Sequence, residues 1–142
     1  MERSLLDTDM FSEALRGRDA RVRAKAEAYL DVFGRFTLSV ITVAELIDGF
    51  RRQQRDDRIV TLMAEIEAGS HEVIPLGVRA AELAGQIFGE LYRTGQPIGR
   101  DDPYIAATAL AEGLPLITGN TGHYERIQAL GYPLQLDNWR GV

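Results

Sequence analysis

In the stretch "SLLDTDMF" two aspartates, Asp7 and Asp9, bracket a threonine directly after a short apolar run. Three chemistries suit that pattern: a metal-ligating carboxylate at a strand end, a nucleophilic aspartate with an acid partner, or a helix cap. Two further acids stand in comparable places. Glu45 lies in "TVAE", and Asp102 immediately precedes a proline in "DDPY". Each has a plain structural reading. Thr42 with Glu45 matches a capping box, and Asp102 with Pro103 matches an N-cap followed by proline at the first helical position. Asp9 is a candidate cap for a helix holding Phe11 and Leu15. Asn120 with Thr121 is one for a helix holding Tyr124 and Ile127.

The elements that must position these residues alternate in type. "SLLD" reads as a short buried strand ending at Asp7, and "RFTLSV", "HEVIPL" and "LPLIT" read as three more, with "YPLQL" as a fifth. Between them lie apolar residues at helical spacing: Val22, Ala26, Tyr29, Leu30 and Phe33 before Gly34; Val43, Leu46, Ile47 and Phe50; a helix over 56–68; Ala80, Ala84, Ile87 and Leu91 before "TGQ"; Ile105, Ala109 and Leu110 before Gly113; and a short helix over 121–129. The alternation predicts an α/β fold, a mostly parallel four- to five-stranded sheet with helices on both faces. Such sheets work beyond the carboxyl ends of their strands. Asp7 follows the first strand, Ser39 and Thr42 the second, and Thr118 to Asn120 the fourth, so these positions converge on one edge.

Convergence changes the weight of the acids. Asp7, Glu45 and Asp102 come from distant segments, and three carboxylates in one cleft repel one another unless a cation neutralises them. Hard oxygen ligands without cysteine or paired histidine select Mg²⁺ or Mn²⁺ over zinc or copper. Capping is compatible with that role, because a helix N-terminus favours an ionised carboxylate. A divalent cation so held suits phosphoryl transfer. No nucleophile–histidine pair competes: His71 reads as surface or structural, and His123 as a candidate substrate contact near the cleft.

Composition bounds the rest. The 142 residues make one domain, 1–142, with 45% hydrophobic and 26% charged residues, as expected of a folded chain. No apolar run is long enough to span a membrane, "MERSLL" is too short for a signal peptide, and the absence of cysteine excludes disulfides and thiolate chemistry. A cytoplasmic protein is the expectation. The net charge of −5 argues against a nonspecific nucleic-acid coat, yet not against an enzyme that holds cations on clustered acids. All 16 basic residues except Lys25 are arginine. They crowd at Arg16, Arg18, Arg21 and Arg23 and at Arg51, Arg52, Arg55 and Arg58, as solvated helix faces or as phosphate or partner contacts.

"LLDTDMFSE", "SVITVAELIDGF", "PIGRDDPYIAATAL" and "LPLITGNTGHYERI" together resemble the four signature segments of PIN-domain ribonucleases, most of all the VapC-type toxins of toxin–antitoxin pairs. The resemblance spans nearly the whole chain, including the closing "LDNW". It implies Mg²⁺- or Mn²⁺-dependent endonucleolytic cleavage of RNA, a homodimer, and silencing by a cognate antitoxin that enters the acidic cleft. Residue by residue it makes Asp7, Glu45 and Asp102 the cation-holding acids and Asp101 a supporting neighbour. Thr8, Ser39, Thr42 and Thr118 become the hydroxyls that support the carboxylates. Where the family often carries a fourth acid this chain has Asn120. That residue can position water or cation but adds no charge, which favours one cation over two, with Asp9 as partial compensation.

Other readings are weaker. "LLDTDMF" also fits the opening of haloacid-dehalogenase-type phosphatases, but Lys25 is too early to serve that chemistry, and receiver domains fail for want of a late lysine. A PIN-like fold kept for RNA or protein binding, and a PIN nuclease of RNA processing, remain as alternatives to the toxin.

Overall fold

The computed structural model describes residues 1–141. Its sheet has five parallel strands: β1 (Leu5–Leu6), β2 (Phe36–Ser39), β3 (His71–Ile74), β4 (Leu116–Ile117) and β5 (Leu136–Asp137), in the order β3-β2-β1-β4-β5. Seven helices connect them: α1 (Thr8–Arg16), α2 (Ala20–Phe33), α3 (Val40–Arg52), α4 (Asp56–Glu67), α5 (Val78–Arg93), α6 (Asp102–Glu112) and α7 (Thr121–Ala129). Parallel neighbours require such crossovers, and the helices close both faces of the sheet.

Period-two alternation sorts the core. Leu5 and Leu116 point into a cluster with Ile87, Leu91, Ile105, Tyr124 and Ile127, from α5, α6 and α7. Leu6, Leu38 and Ile117 point the opposite way, to Phe11, Val22, Tyr29 and Trp139. Trp139 seals that second layer, 3% exposed and 5.8 Å from the Tyr29 ring. No helix among the described residues is long and apolar enough to cross a membrane.

The chain starts in the middle of the sheet. β1 pairs with β2 on one side and β4 on the other, Leu6 lying level with both Leu38 and Ile117. Strand order therefore reverses direction at β1, and a crevice opens beyond its carboxyl end. Asp7 is the residue at that mouth.

Three helix starts differ from the capping patterns. α3 begins at Val40, with Ser39 as N-cap accepting from the Ile41 nitrogen at 3.0 Å, so Thr42 and Glu45 form no capping box. α1 is capped by Asp7 and not by Asp9. At α6 Asp101 holds the N-cap position without a side-chain cap bond, and Asp102 is the first helical residue. Asn120 stands at the N-cap position of α7, also without a side-chain cap bond.

Candidate active site

Asp7 is fixed from three directions. Its backbone nitrogen donates to the Ile117 carbonyl at 3.1 Å, continuing the strand pairing by one residue. Its Oδ1 accepts from the Met10 nitrogen at 2.8 Å as the cap of α1, and its Oδ2 accepts from the Thr118 hydroxyl at 2.5 Å. The residue is 3% exposed. Burial pushes its carboxyl up to about 6; the Thr118 and Met10 bonds oppose the shift, and the charges of Asp9 and Asp102 add to it.

The other acids approach from the helices. Glu45, on α3, accepts through Oε1 from the Thr8 hydroxyl at 2.5 Å, and that hydroxyl lies 3.0 Å from the Thr42 hydroxyl. Partial burial raises the Glu45 carboxyl above its ordinary range. The Thr8 bond opposes this rise, and Asp101, Asp102 and Asp9 reinforce it. Asp102 meets the His123 Nδ1 at 3.0 Å through Oδ2. A β-carbon at Gly99 would come within 2.7 Å of that same oxygen, so the loop before α6 presses its backbone onto the acid.

Asp7, Thr8, Asp9, Glu45, Asp102, Ile105 and Asn120 line one small cavity of ≈ 70 Å³. Sequence reading placed six of these seven there, all but Ile105. Thr118 and Thr42 stand behind the lining as hydroxyl partners. Asn120 donates from Nδ2 to Asp9 Oδ2 at 3.0 Å, and its backbone nitrogen donates to the Thr118 hydroxyl oxygen at 2.9 Å. Ser39 is fully buried, spends its hydroxyl oxygen on the start of α3, and hydrogen-bonds none of the acids. Asp101 lies 3.6 Å from Arg100, outside the lining. His71 is buried, with Nε2 2.7 Å from Glu65, away from the cavity.

Four residues of the site's surroundings escaped the sequence reading: Gly99, Gly119, Tyr124 as a polar neighbour, and Arg140. The Tyr124 hydroxyl is fully buried without a hydrogen-bond partner. Burial first, then the charges of Asp102 and Asp7, hold its phenol well above the ordinary value.

The donor set fits a hard divalent cation. Four carboxylates face one space lined by no lysine or arginine, and the buried Tyr124 phenol behind them feels the charges of Asp102 and Asp7. Among the described residues no three acid or histidine side chains are already grouped closely enough to cage an ion. Each acid is drawn instead to its own hydroxyl, amide or imidazole neighbour.

Comparison with known proteins agrees with this geometry. Residues 4–129 match the PIN domain model. The chain is 32% identical over 130 residues to the tRNA(fMet)-specific endonuclease VapC of Shigella flexneri, covering 92% of this chain and 96% of that protein. It is also 32% identical over 140 residues to ribonuclease VapC10 of Mycobacterium tuberculosis, covering 96% of each. Its fold superposes on a chain of the DNA-bound VapBC structure from Salmonella typhimurium with a TM-score of 0.76, at 28% identity over 98% of this chain and 99% of that one. The chain belongs to the PIN-domain family and, within it, to the VapC ribonucleases.

Proposed function

We propose that this chain is the toxin of a VapBC-type toxin–antitoxin pair, an endoribonuclease that cuts RNA phosphodiesters at the cavity beyond β1. The observation that carries this reading is the meeting of Asp7, Glu45 and Asp102, from three distant segments, in one space with no cationic lining. Those three acids would hold a single Mg²⁺, with Mn²⁺ as an alternative. The bound cation would supply charge neutralisation at the scissile phosphate and help orient the attacking water.

The chain's own residues set up that chemistry. Thr118 and the Met10 amide aim the Asp7 carboxylate, Thr8 aims Glu45, and His123 aims Asp102. A water hydrogen-bonded to one of these carboxylates gives up its proton to it and attacks the phosphorus in line. The phosphorus–oxygen bond to the leaving ribose breaks on the opposite side, and that oxygen is protonated from solvent. Asn120 keeps Asp9 turned to the cavity without adding charge, which favours one cation. His123 is placed to meet substrate when its bond to Asp102 opens. The cytoplasm, a homodimer and a cognate antitoxin complete the proposal; the Salmonella typhimurium neighbour is a DNA-bound VapBC structure.

The test is cleavage of mixed total RNA with Mg²⁺, Mn²⁺ or EDTA, comparing wild type with Asp7→Asn and Asp102→Asn. Discrete products that vanish with EDTA and in both variants are expected. Folded, antitoxin-free protein that cuts nothing under either metal would favour a PIN fold kept for binding, with Asn120 in place of the fourth acid as its cause.

A further inference from the structure

Behind the Thr118–Asn120 turn lies a residue outside the span matched by the family model. Arg140 comes from the C-terminal segment, well beyond residue 129. Its Nε donates to Glu13 Oε2 on α1 at 2.8 Å, and its Nη2 donates to the same oxygen. Its backbone nitrogen is tied to Asn138 Oδ1 at 2.9 Å, and Trp139 beside it is sunk in the core. The head group is anchored at Glu13, with 34% of the side chain exposed.

That head group rests on Gly119. A β-carbon there would lie 1.8 Å from Arg140 Nη1 and 2.5 Å from its Cζ, so only glycine leaves room for the guanidinium. No positive φ explains this glycine; space does. On either side of Gly119 stand the two residues that reach the cavity. Thr118 bonds Asp7 through its hydroxyl, and Asn120 bonds both that hydroxyl and Asp9. β5 holds the same turn from its other end, Thr118 nitrogen donating to the Asp137 carbonyl at 2.9 Å.

We infer that Arg140 is a positioning residue for the cation site: clamped by Glu13 and seated on Gly119, it fixes the turn through which Thr118 and Asn120 aim Asp7 and Asp9. This role rests on the reading of the cavity as a cation site, and it makes the C-terminal segment a working part of that site. An alanine at Gly119 has to evict the guanidinium or shift the turn. Eviction costs the bond to Glu13, a charge-assisted contact held by both Nε and Nη2.

The experiment measures Mn²⁺ binding by the loss of the free-ion electron paramagnetic resonance signal, without RNA, in the full chain. Variants are Arg140→Ala, Gly119→Ala, the double variant, and Glu13→Gln, which loosens the clamp without touching the turn. Hydrogen exchange at the Asn120 amide reports the turn itself. Each single change at Arg140 or Gly119 is expected to weaken Mn²⁺ by about threefold to fivefold, less than loss of Thr118, the direct partner of Asp7, and to speed Asn120 exchange. The double variant should be no worse than either single, because both remove one contact. Glu13→Gln should weaken binding less.

Unchanged Mn²⁺ affinity and exchange in folded Arg140→Ala would overturn the role, as would losses that multiply in the double variant. Wild type that binds Mn²⁺ yet cuts no RNA would sink the nuclease and leave Arg140 in place. Wild type that holds no Mn²⁺ would sink both.

Discussion

The two sides of the cavity are built differently. On the strand side Asp7 is buried, both carboxylate oxygens are engaged, and its backbone is still part of the sheet. On the helix side Glu45 and Asp102 are half-buried, each with one oxygen held by a side chain that can rotate away. The strand side is a fixed charge in a dry place, and the helix side is a pair of adjustable arms. A cation needs both: one ligand already aimed, and others able to close around it. The difference has an energetic signature, because the more deeply buried charge of Asp7 is the more expensive to keep without the cation.

The largest effects should break the comparison in activity and keep it in stability. Asp7→Asn and Asp102→Asn should each lower RNA cleavage by at least on the order of 10²-fold, above the 10–100-fold typical of partners behind a ligand. Cation-free unfolding in urea should separate them. The folded Asp7 carboxyl, at about 6, lies above its ordinary value of 3.8. Its contribution to stability is therefore complete below about pH 4 and lost as pH rises through about 6. Asn keeps an oxygen for the Met10 amide and carries no charge. Asp7→Asn should thus gain on wild type by roughly 3 kcal/mol between about pH 4 and about pH 7, the worth of that shift. A gap that stays flat across this range would mean that Asp7 is not the buried acid described. Mn²⁺ should erase the gap by stabilising wild type alone.

The same contrast explains what the sequence could reveal. Apolar periodicity located α2, α3, α5 and α6 and apolar runs located the strands, because burial on a sheet face or a helix stripe leaves a pattern in the chain itself. The helix starts were harder. Thr42 and Glu45 looked like a capping box, yet Ser39 begins α3 and frees both residues to meet Thr8. Asp7 and Asp9 stand two residues apart, and the local pattern suits either as the cap of α1. The strand register decides, since it carries Asp7 to the mouth of the crevice. Ser39, grouped with the supporting hydroxyls, spends its oxygen on its own helix. Arg140 left no signal at all. Its partners Glu13 and Gly119 lie far off in the chain, and only packing brings them together.

The hydroxyls behind the acids offer an intermediate test. Thr118→Val removes the donor from a buried carboxylate, and Thr8→Val removes it from a half-buried one. Loss at a buried, charged acceptor costs more. Thr118→Val should therefore weaken Mn²⁺ about tenfold or more, and Thr8→Val by a few-fold. Calorimetric titration with Mn²⁺ at pH 8 gives both numbers, and the reverse order would place the fixed charge on the helix side.

The smallest effect sharpens the comparison most narrowly, within the pair Asp101 and Asp102. Asp101 stands at the N-cap position of α6 without a cap bond, beside Arg100 and outside the cavity lining. It acts on the site only through its charge, which helps to raise Glu45. Asp101→Asn removes a weak attraction for the cation and also a repulsion felt by Glu45. These changes oppose each other, so Mn²⁺ affinity should move by less than about threefold, the scale of a charge that acts without contact. A loss of tenfold or more would put Asp101 among the ligands. Neighbours at a helix start point about 100° apart, so that result would require the first turn of α6 to rotate on cation binding and would make the helix arm more mobile than its contacts with His123 and Gly99 indicate.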